Sequence, residues 1–234
     1  MITSIVYNED NRFGLDLIPA KAFDLVVDDP PYFSGPEKRQ FYGQAVSSKG
    51  VKRVNYPIIK KWDVPNADYF KELERVSLNQ IVWGCNYFDY QFGPGRIIWD
   101  KVNGASSFSD CEIAFCSIHD SVRLFRFMWN GFMQGKSMEE GWIQQGNKKL
   151  NEKRINPCQK PVALYDWTFA KYAKPGMSVL VPHVGSGSCR IAAYKAGINY
   201  VGFEADPVCF QDQEDRFNLF LESYHKEKQL QNAY

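Results

Sequence analysis

Short apolar runs bounded by turn residues alternate along this chain with longer stretches of helical periodicity. Strands are predicted at Ser4–Tyr7, Phe23–Asp28, Gln80–Trp83, Arg96–Asp100, Cys111–Cys116, Ser178–Val181 and Tyr200–Phe203. Several of these runs are continuously apolar rather than alternating, as expected of strands covered on both faces. Helices are predicted at Ala67–Ser77, Pro161–Ala173, Cys189–Ala196 and Pro207–Tyr224. Pro161 suits a first helical position, and Pro175-Gly176 ends the same helix. Strand–helix alternation of this kind predicts an α/β fold with a mainly parallel sheet and helices on both faces.

Two stretches do not follow the alternation. Phe33–Lys61 carries Lys38, Arg39, Lys49, Lys52, Arg53, Lys60 and Lys61 against one acid, Glu37. Ser121–Arg154 carries Arg123, Arg126, Lys136, Lys148, Lys149, Lys153 and Arg154 against Glu139, Glu140 and Glu152. Long loops within compact domains are usually functional or disordered. The aromatic middle of the second stretch (Phe125, Phe127, Trp129, Phe132, Trp142) is expected to pack a small lobe.

Composition narrows the choice. At 234 residues with 44% hydrophobic content, the chain suffices for one globular core. Aromatic residues make up 15%, which argues against disorder and leaves rings for stacking on flat ligands. The net charge of +1 does not announce a nucleic-acid partner, so local charge has to decide. No run of about 18 apolar residues is present to span a membrane, and no secretory signal is read at the N-terminus. Cys85, Cys111, Cys116, Cys158, Cys189 and Cys209 lack metal-ligand spacing and are expected to be buried reduced thiols in a cytoplasmic protein, with no metal.

The sharpest chemical signal is Asp29-Pro30-Pro31-Tyr32, directly after a predicted strand. Ligands of open α/β sheets sit beyond the carboxyl ends of strands. Two prolines fix consecutive φ angles and donate no N–H, so this backbone is stiff and offers carbonyls. An acid, a held carbonyl and an aromatic ring are what methylation of a base amino group requires. That nitrogen is a poor nucleophile because its lone pair is delocalised into the ring. Accepting its two hydrogens at the Asp29 carboxylate and the Pro30 carbonyl localises the lone pair, while Tyr32 stacks on a flipped-out base. The plainer alternative is a strand ending in a Pro-Pro turn with a capping aspartate.

A second signal is Val184-Gly185-Ser186-Gly187-Ser188, between a predicted strand and helix. Glycines there let the backbone approach a ligand at a helix N-terminus, although most such turns merely connect elements. Glu204 ends the next predicted strand, where an acid can bind both hydroxyls of a ribose. A third segment, Asn156-Pro157-Cys158-Gln159-Lys160-Pro161, reads by composition as a capped helix start. Its weight comes from its place between the basic stretches and the glycine turn.

Taken in order, these motifs resemble the permuted, beta-class amino DNA methyltransferases, especially compact phage and prophage adenine-specific members. The resemblance spans roughly residues 3 to 222. It rests on DPPY at Asp29–Tyr32, NPCQKP at Asn156–Pro161, VPHVGSGS at Val181–Ser188 and FEAD ending at Asp206. Trp83–Phe88 and Ile97–Lys101 resemble the family's strand-end segments.

The resemblance implies one Rossmann-like S-adenosylmethionine-dependent methyltransferase domain over residues 1–234, with a seven-stranded sheet. A basic loop at about 33–61 and a target recognition insertion at about 119–155 would belong to it. It implies transfer of a methyl group from S-adenosylmethionine to N6 of adenine in duplex DNA, with N4 of cytosine and a catalytically silent DNA-binding protein as alternatives. Asp29, Pro30, Pro31 and Tyr32 would form the catalytic pocket. Asp10, Asp29, Gln159, Lys160, His183, Gly185, Ser186, Gly187, Ser188 and Glu204 would line the cofactor site. Lys38, Arg39, Lys49, Lys52, Arg53, Lys148 and Lys149 would meet DNA phosphates. A homodimer and a cognate restriction endonuclease are the remaining partners considered. The chain departs from the family at Val181, where an acid usually opens the glycine motif, and His183 is expected to be packed or hydrogen-bonded rather than a base.

Overall fold

The computed structural model describes residues 2–32, 46, 63–104, 109–130 and 133–232. The elements run β1 (Ser4–Tyr7), α1 (Asn11–Leu17), β2 (Phe23–Asp28), α2 (Ala67–Val76), β3 (Ser77–Trp83), β4 (Arg96–Asp100), β5 (Cys111–Cys116), β6 (Val122–Arg126), β7 (Trp129–Asn130) and β8 (Met133–Gln134). They continue with α3 (Val162–Tyr172), β9 (Ser178–Val181), α4 (Ser188–Lys195), β10 (Asn199–Phe203) and α5 (Pro207–Asn232).

Among the described residues, eight strands form one sheet in the order β1-β10-β9-β2-β3-β5-β4-β6. β1, β10, β9, β2 and β3 run parallel; β5 is antiparallel to both its neighbours, and β6 is parallel to β4. This is the expected Rossmann-like α/β fold, with one strand more than the seven anticipated. The extra strand is β6, hidden in the sequence because Val122, Arg123, Leu124 and Arg126 are all exposed at the sheet edge and only Phe125 is buried. Within the stretch expected as an insertion at about 119–155, the first part extends the main sheet, and β7 and β8 pair as a separate two-stranded antiparallel sheet. Phe125, Phe127 and Trp129 join the principal core instead of packing a lobe of their own, and Trp142 is exposed.

Successive strand residues face opposite layers. Leu25, Val27, Ile81, Trp83, Val179 and Val181 pack with Leu164, Tyr165 and Phe169 of α3 and with Ala192 and Ala193 of α4. Val26, Val82 and Leu180 pack on the other side with Leu15 of α1 and Phe70, Leu73 and Val76 of α2. The spacing of the three α2 residues puts them on one helix face, and each contributes about 1.5–3 kcal/mol on burial. Asn66 caps this helix by accepting from the Asp68 and Tyr69 amides at 3.1 and 3.2 Å.

Pro161 is the N-cap of α3 rather than its first residue. It has no side-chain acceptor, so Glu152 Oε2 takes the Val162 amide instead, at 2.9 Å. The short helix α1 was not anticipated; seven residues are too few for periodicity to register. All six cysteines are free, but Cys158 is exposed and Cys111 half-buried, so burial holds for only four of them. No helix among the described residues is long and apolar enough to cross a membrane.

The sheet sets the site. From β9 the chain crosses through α4 to β10 on one side; from β2 it crosses through α2 to β3 on the other. The crossovers diverge between β9 and β2, which makes the gap beyond their carboxyl ends the topological switch point of the sheet.

Candidate active site

A cleft of about 830 Å³ opens at this switch point. It is lined by the Asp29–Tyr32 tetrapeptide after β2, by the Val181–Ser186 turn after β9, by Glu204 after β10, and by Asp10, Gln159 and Lys160. Segments far apart in sequence thus share one cavity, of a size suited to a nucleoside-sized ligand and a second flat group. Gly187 is adjacent, at the N-cap of α4 with φ +73°.

At one end of the cleft Asp29 is held by charge. The Lys160 ammonium, only 3% exposed, forms an ion pair with Asp29 Oδ1 and another with Glu112 Oε2 at 3.0 Å. Glu112 Oε1 pairs in turn with Lys101 at 2.5 Å. Tyr32 donates its hydroxyl to Glu112 Oε2 at 3.3 Å and accepts from Lys160 at 3.4 Å. The Tyr32 ring lies parallel to Tyr87, centroids 4.9 Å apart and planes 6° apart. Gly84 makes room for it: a Cβ there would fall 2.5 Å from a Tyr32 ring carbon, and the φ of +69° also requires glycine.

Burial raises the Asp29 pKa; Lys160 opposes this and Glu112 adds to it, leaving the net direction upward. Burial also opposes ionisation of Glu112, but Lys160 and Lys101 outweigh it and bring Glu112 down to about 2. For Lys160, burial disfavours the ammonium, yet Asp29 and Glu112 lift its pKa well above the ordinary lysine value.

At the other end the backbone does the holding. Glu204 Oε2 accepts the Gly185 amide at 2.8 Å, and Oε1 accepts the Asp206 amide at 3.1 Å. Burial raises the Glu204 pKa against these two donors. Gly185 has φ +56°, and a side chain there would meet nothing within 4 Å, so the turn presents bare backbone to the cleft. Behind the turn, Arg216 of α5 donates to Ser186 O at 2.6 Å and Ser188 Oγ at 3.0 Å. The same guanidinium pairs with Glu152 at 2.6 Å.

Between the two ends stands His183. Its Nδ1 is 2.9 Å from Asp28 Oδ1, and Tyr69 donates to Asp28 Oδ2 at 2.7 Å. Asn11 spends its amide hydrogens on Pro182 O at 3.2 Å and His183 Nε2 at 2.8 Å, the pattern of the neutral Nδ1–H tautomer. Burial disfavours the imidazolium, but Asp28 foremost, with Glu204 and Asp29, moves the His183 pKa up. His183 therefore fastens β2, the β9 turn, α1 and α2 to one another.

Other candidates are placed differently. Gln159 touches the cleft, but its amide is committed to Glu152, Lys153 O and the Ile155 amide. Asp10 caps α1 and binds Arg12. Val181, where an acid was expected, is 2% exposed and belongs to the core, while also lining the cleft. Lys148 and Lys149 sit on an exposed turn and pair with no acid among the described residues. Several other cations of that region are engaged within the protein: Arg126 with Asp100, Lys136 with Glu140, and Arg154 over the Trp129 ring at 4.2 Å. Lys38, Arg39, Lys49, Lys52 and Arg53 lie outside the described residues.

Glu112, Lys101, Asp28, Tyr69 and Asn11 were not singled out from the sequence. A charged residue inside an apolar strand was the available signal for Glu112, and the doublet with Asp29 was the one for Asp28.

Fold and cleft together define the class: a Rossmann-like methyltransferase fold with a cleft at the switch point. The DNA methylase family is matched over residues 120–214. The type II methyltransferase M.HinfI of Haemophilus influenzae is 25% identical over 86% of this chain, which spans 65% of that relative's length. The cytosine-N4-specific PvuII DNA methyltransferase superposes with a TM-score of 0.54 at 15% identity, covering 92% of this chain and 87% of that one. M1.HpyAVI, solved with S-adenosylmethionine, superposes at 0.50 with 16% identity, covering 92% of this chain and 100% of its own. The chain is thus similar to DNA methyltransferases in sequence over most of its length and in fold.

Proposed function

We propose that the protein methylates N6 of adenine in duplex DNA with S-adenosylmethionine, in the permuted order in which the catalytic tetrapeptide precedes the cofactor turn. The observation that carries this reading is the joining of Asp29–Tyr32 and the Gly185–Glu204 region in one cleft across the switch point. Bound there, the cofactor supplies an electrophilic methyl group on a sulfonium.

The chain's own residues do the rest. Glu204, its oxygens oriented by two backbone amides, accepts from ribose hydroxyls. Bare backbone at Gly185 admits close approach. Asp29 Oδ2, which takes no hydrogen bond from the described residues, and the Pro30 carbonyl accept the two amino hydrogens of the base. Drawing those hydrogens toward two acceptors localises the nitrogen lone pair for a single displacement, and the proton that the methylated nitrogen must lose passes to the Asp29 carboxylate. Tyr32 stacks on the flipped base. Lys38, Arg39, Lys49, Lys52 and Arg53, with exposed Lys148 and Lys149, neutralise phosphates.

Labelled S-adenosylmethionine and mixed-sequence duplex DNA should yield N6-methyladenine on nucleoside digestion, and Asp29→Ala should abolish transfer while cofactor binding persists. Fold likeness to a cytosine-N4-specific enzyme supports a second reading; label confined to cytosine would establish it in place of the first. Label in neither base would overturn both.

A further inference from the structure

Four charged side chains from four separate segments form an unbroken chain beneath the catalytic tetrapeptide: Lys101 after β4, Glu112 in β5, Lys160 before α3, and Asp29 after β2. Two cations and two anions sum to zero. Trp99 lies under Lys101 at 5.2 Å, and Trp83 and Tyr32 face Lys160 at 5.8 and 5.6 Å. Aromatic walls of this kind hold an ammonium with few competing acceptors.

Asp29 alone could take the whole Lys160 ammonium. A carboxylate gripped by both oxygens would have none left for a base amino group. Glu112 prevents this by drawing Lys160 from the far side, at 3.0 Å, and it also holds the Tyr32 hydroxyl at 3.3 Å. Accepting the function proposed above, we infer that Glu112 is a positioning residue for methyl transfer. It divides the Lys160 charge so that Asp29 keeps one oxygen open to the cleft, and it fixes Tyr32 in the same act. Lys101 anchors Glu112 from behind.

This arrangement has a pH signature. Facing Asp29 are Lys160, Glu112 and Tyr32, with Asp28 and His183 behind it and Tyr165 of α3 and Cys189 of α4 beneath. Glu112 is the acid on the Lys160 side, and its field raises the Asp29 pKa. Removing that negative charge must lower it.

Glu112→Gln should therefore move the acid limb of the kcat profile to lower pH by about one unit, the scale on which neighbouring charges act. At pH 8 kcat should fall on the order of 10- to 100-fold, because Lys160 then closes on Asp29, while the Kd for S-adenosylmethionine stays near wild type. Carbon NMR of the Asp29 carboxyl in the free protein should show the same downward move, and it reads the coupling whether or not any base is methylated. An absence of transfer in wild type with a shifted Asp29 titration would reject the proposed reaction and keep the coupling. An unmoved titration and acid limb would overturn the role of Glu112. Should Glu112→Gln leave Lys101 unpaired and the protein unfolded, E112Q/K101M removes a neutral pair and is read in the same way.

Discussion

Asp29 and Glu204 are half-buried carboxylates beyond strand ends of the same cleft, and burial raises the pKa of both. Glu204 accepts from the amides of Gly185 and Asp206, groups that every sequence with this backbone would present. Asp29 depends on the Lys160 side chain, 131 residues away in sequence, and through it on Glu112 and Lys101. A carboxylate set by backbone stays in place as long as the sheet does. One set by side chains from three other segments can be retuned, or ruined, by a single substitution. On the function proposed above, the cofactor end is thus robust, and the reacting end adjustable.

The largest effect expected of this difference comes from Lys160→Met. Deleting the shared cation leaves Asp29 without its counter-ion, facing a Glu112 that keeps only Lys101, which should cost about 3–5 kcal/mol of stability. Urea denaturation at pH 7 would measure it. A loss below 1 kcal/mol would mean that water already screens the cluster.

Next in size is an acid-side dependence. Glu112 has its pKa brought down to about 2 from an ordinary 4.5, so the native state holds fewer protons on it than the unfolded chain. Its stabilisation is present above pH 4.5 and lost as the pH falls from there toward 2, a change of about 3 kcal/mol. Asp29 and Glu204, raised by burial, act in the opposite sense: each favours the native state more as it protonates. Thermal melts between pH 2 and 6 should therefore fall less steeply in Glu112→Gln than in wild type, and parallel curves would refute the assignment.

The smallest expected effect lies at the backbone-held end. Glu204→Ala should weaken S-adenosylmethionine binding by about 1.5–3 kcal/mol, the scale of hydrogen bonds to a charged group. The Asp29 titration should stay where it is. Calorimetry showing unchanged affinity would place the ribose elsewhere, and a moved Asp29 titration would show that the two ends are not independent.

Much of this molecule could be read from its residues in order. Apolar runs located seven strands of the main sheet, because parallel strands covered on both faces are written as continuous Val, Ile and Leu. DPPY, the glycine turn and Glu204 declared themselves by their places at predicted strand ends. β6 escaped because an edge strand exposes most of its side chains and shows no run, and α1 because about two turns make no period. Candidate residues in local motifs could be singled out, whereas Glu112, Lys101, Tyr69 and Asn11 belong to no local pattern.

The sequence by itself determined the alternation of strands and helices, the stiff turn carrying Asp29, and the bare backbone beside Glu204, since each follows from neighbouring residues and local φ, ψ limits. Only the tertiary structure decided which charge meets which. Lys160 could have faced cofactor, solvent or acid by its motif alone. It lies between Asp29 and Glu112 because β2 and β5 flank β3 in the sheet, and a buried ammonium is tolerated only where carboxylates from both sides repay its lost water.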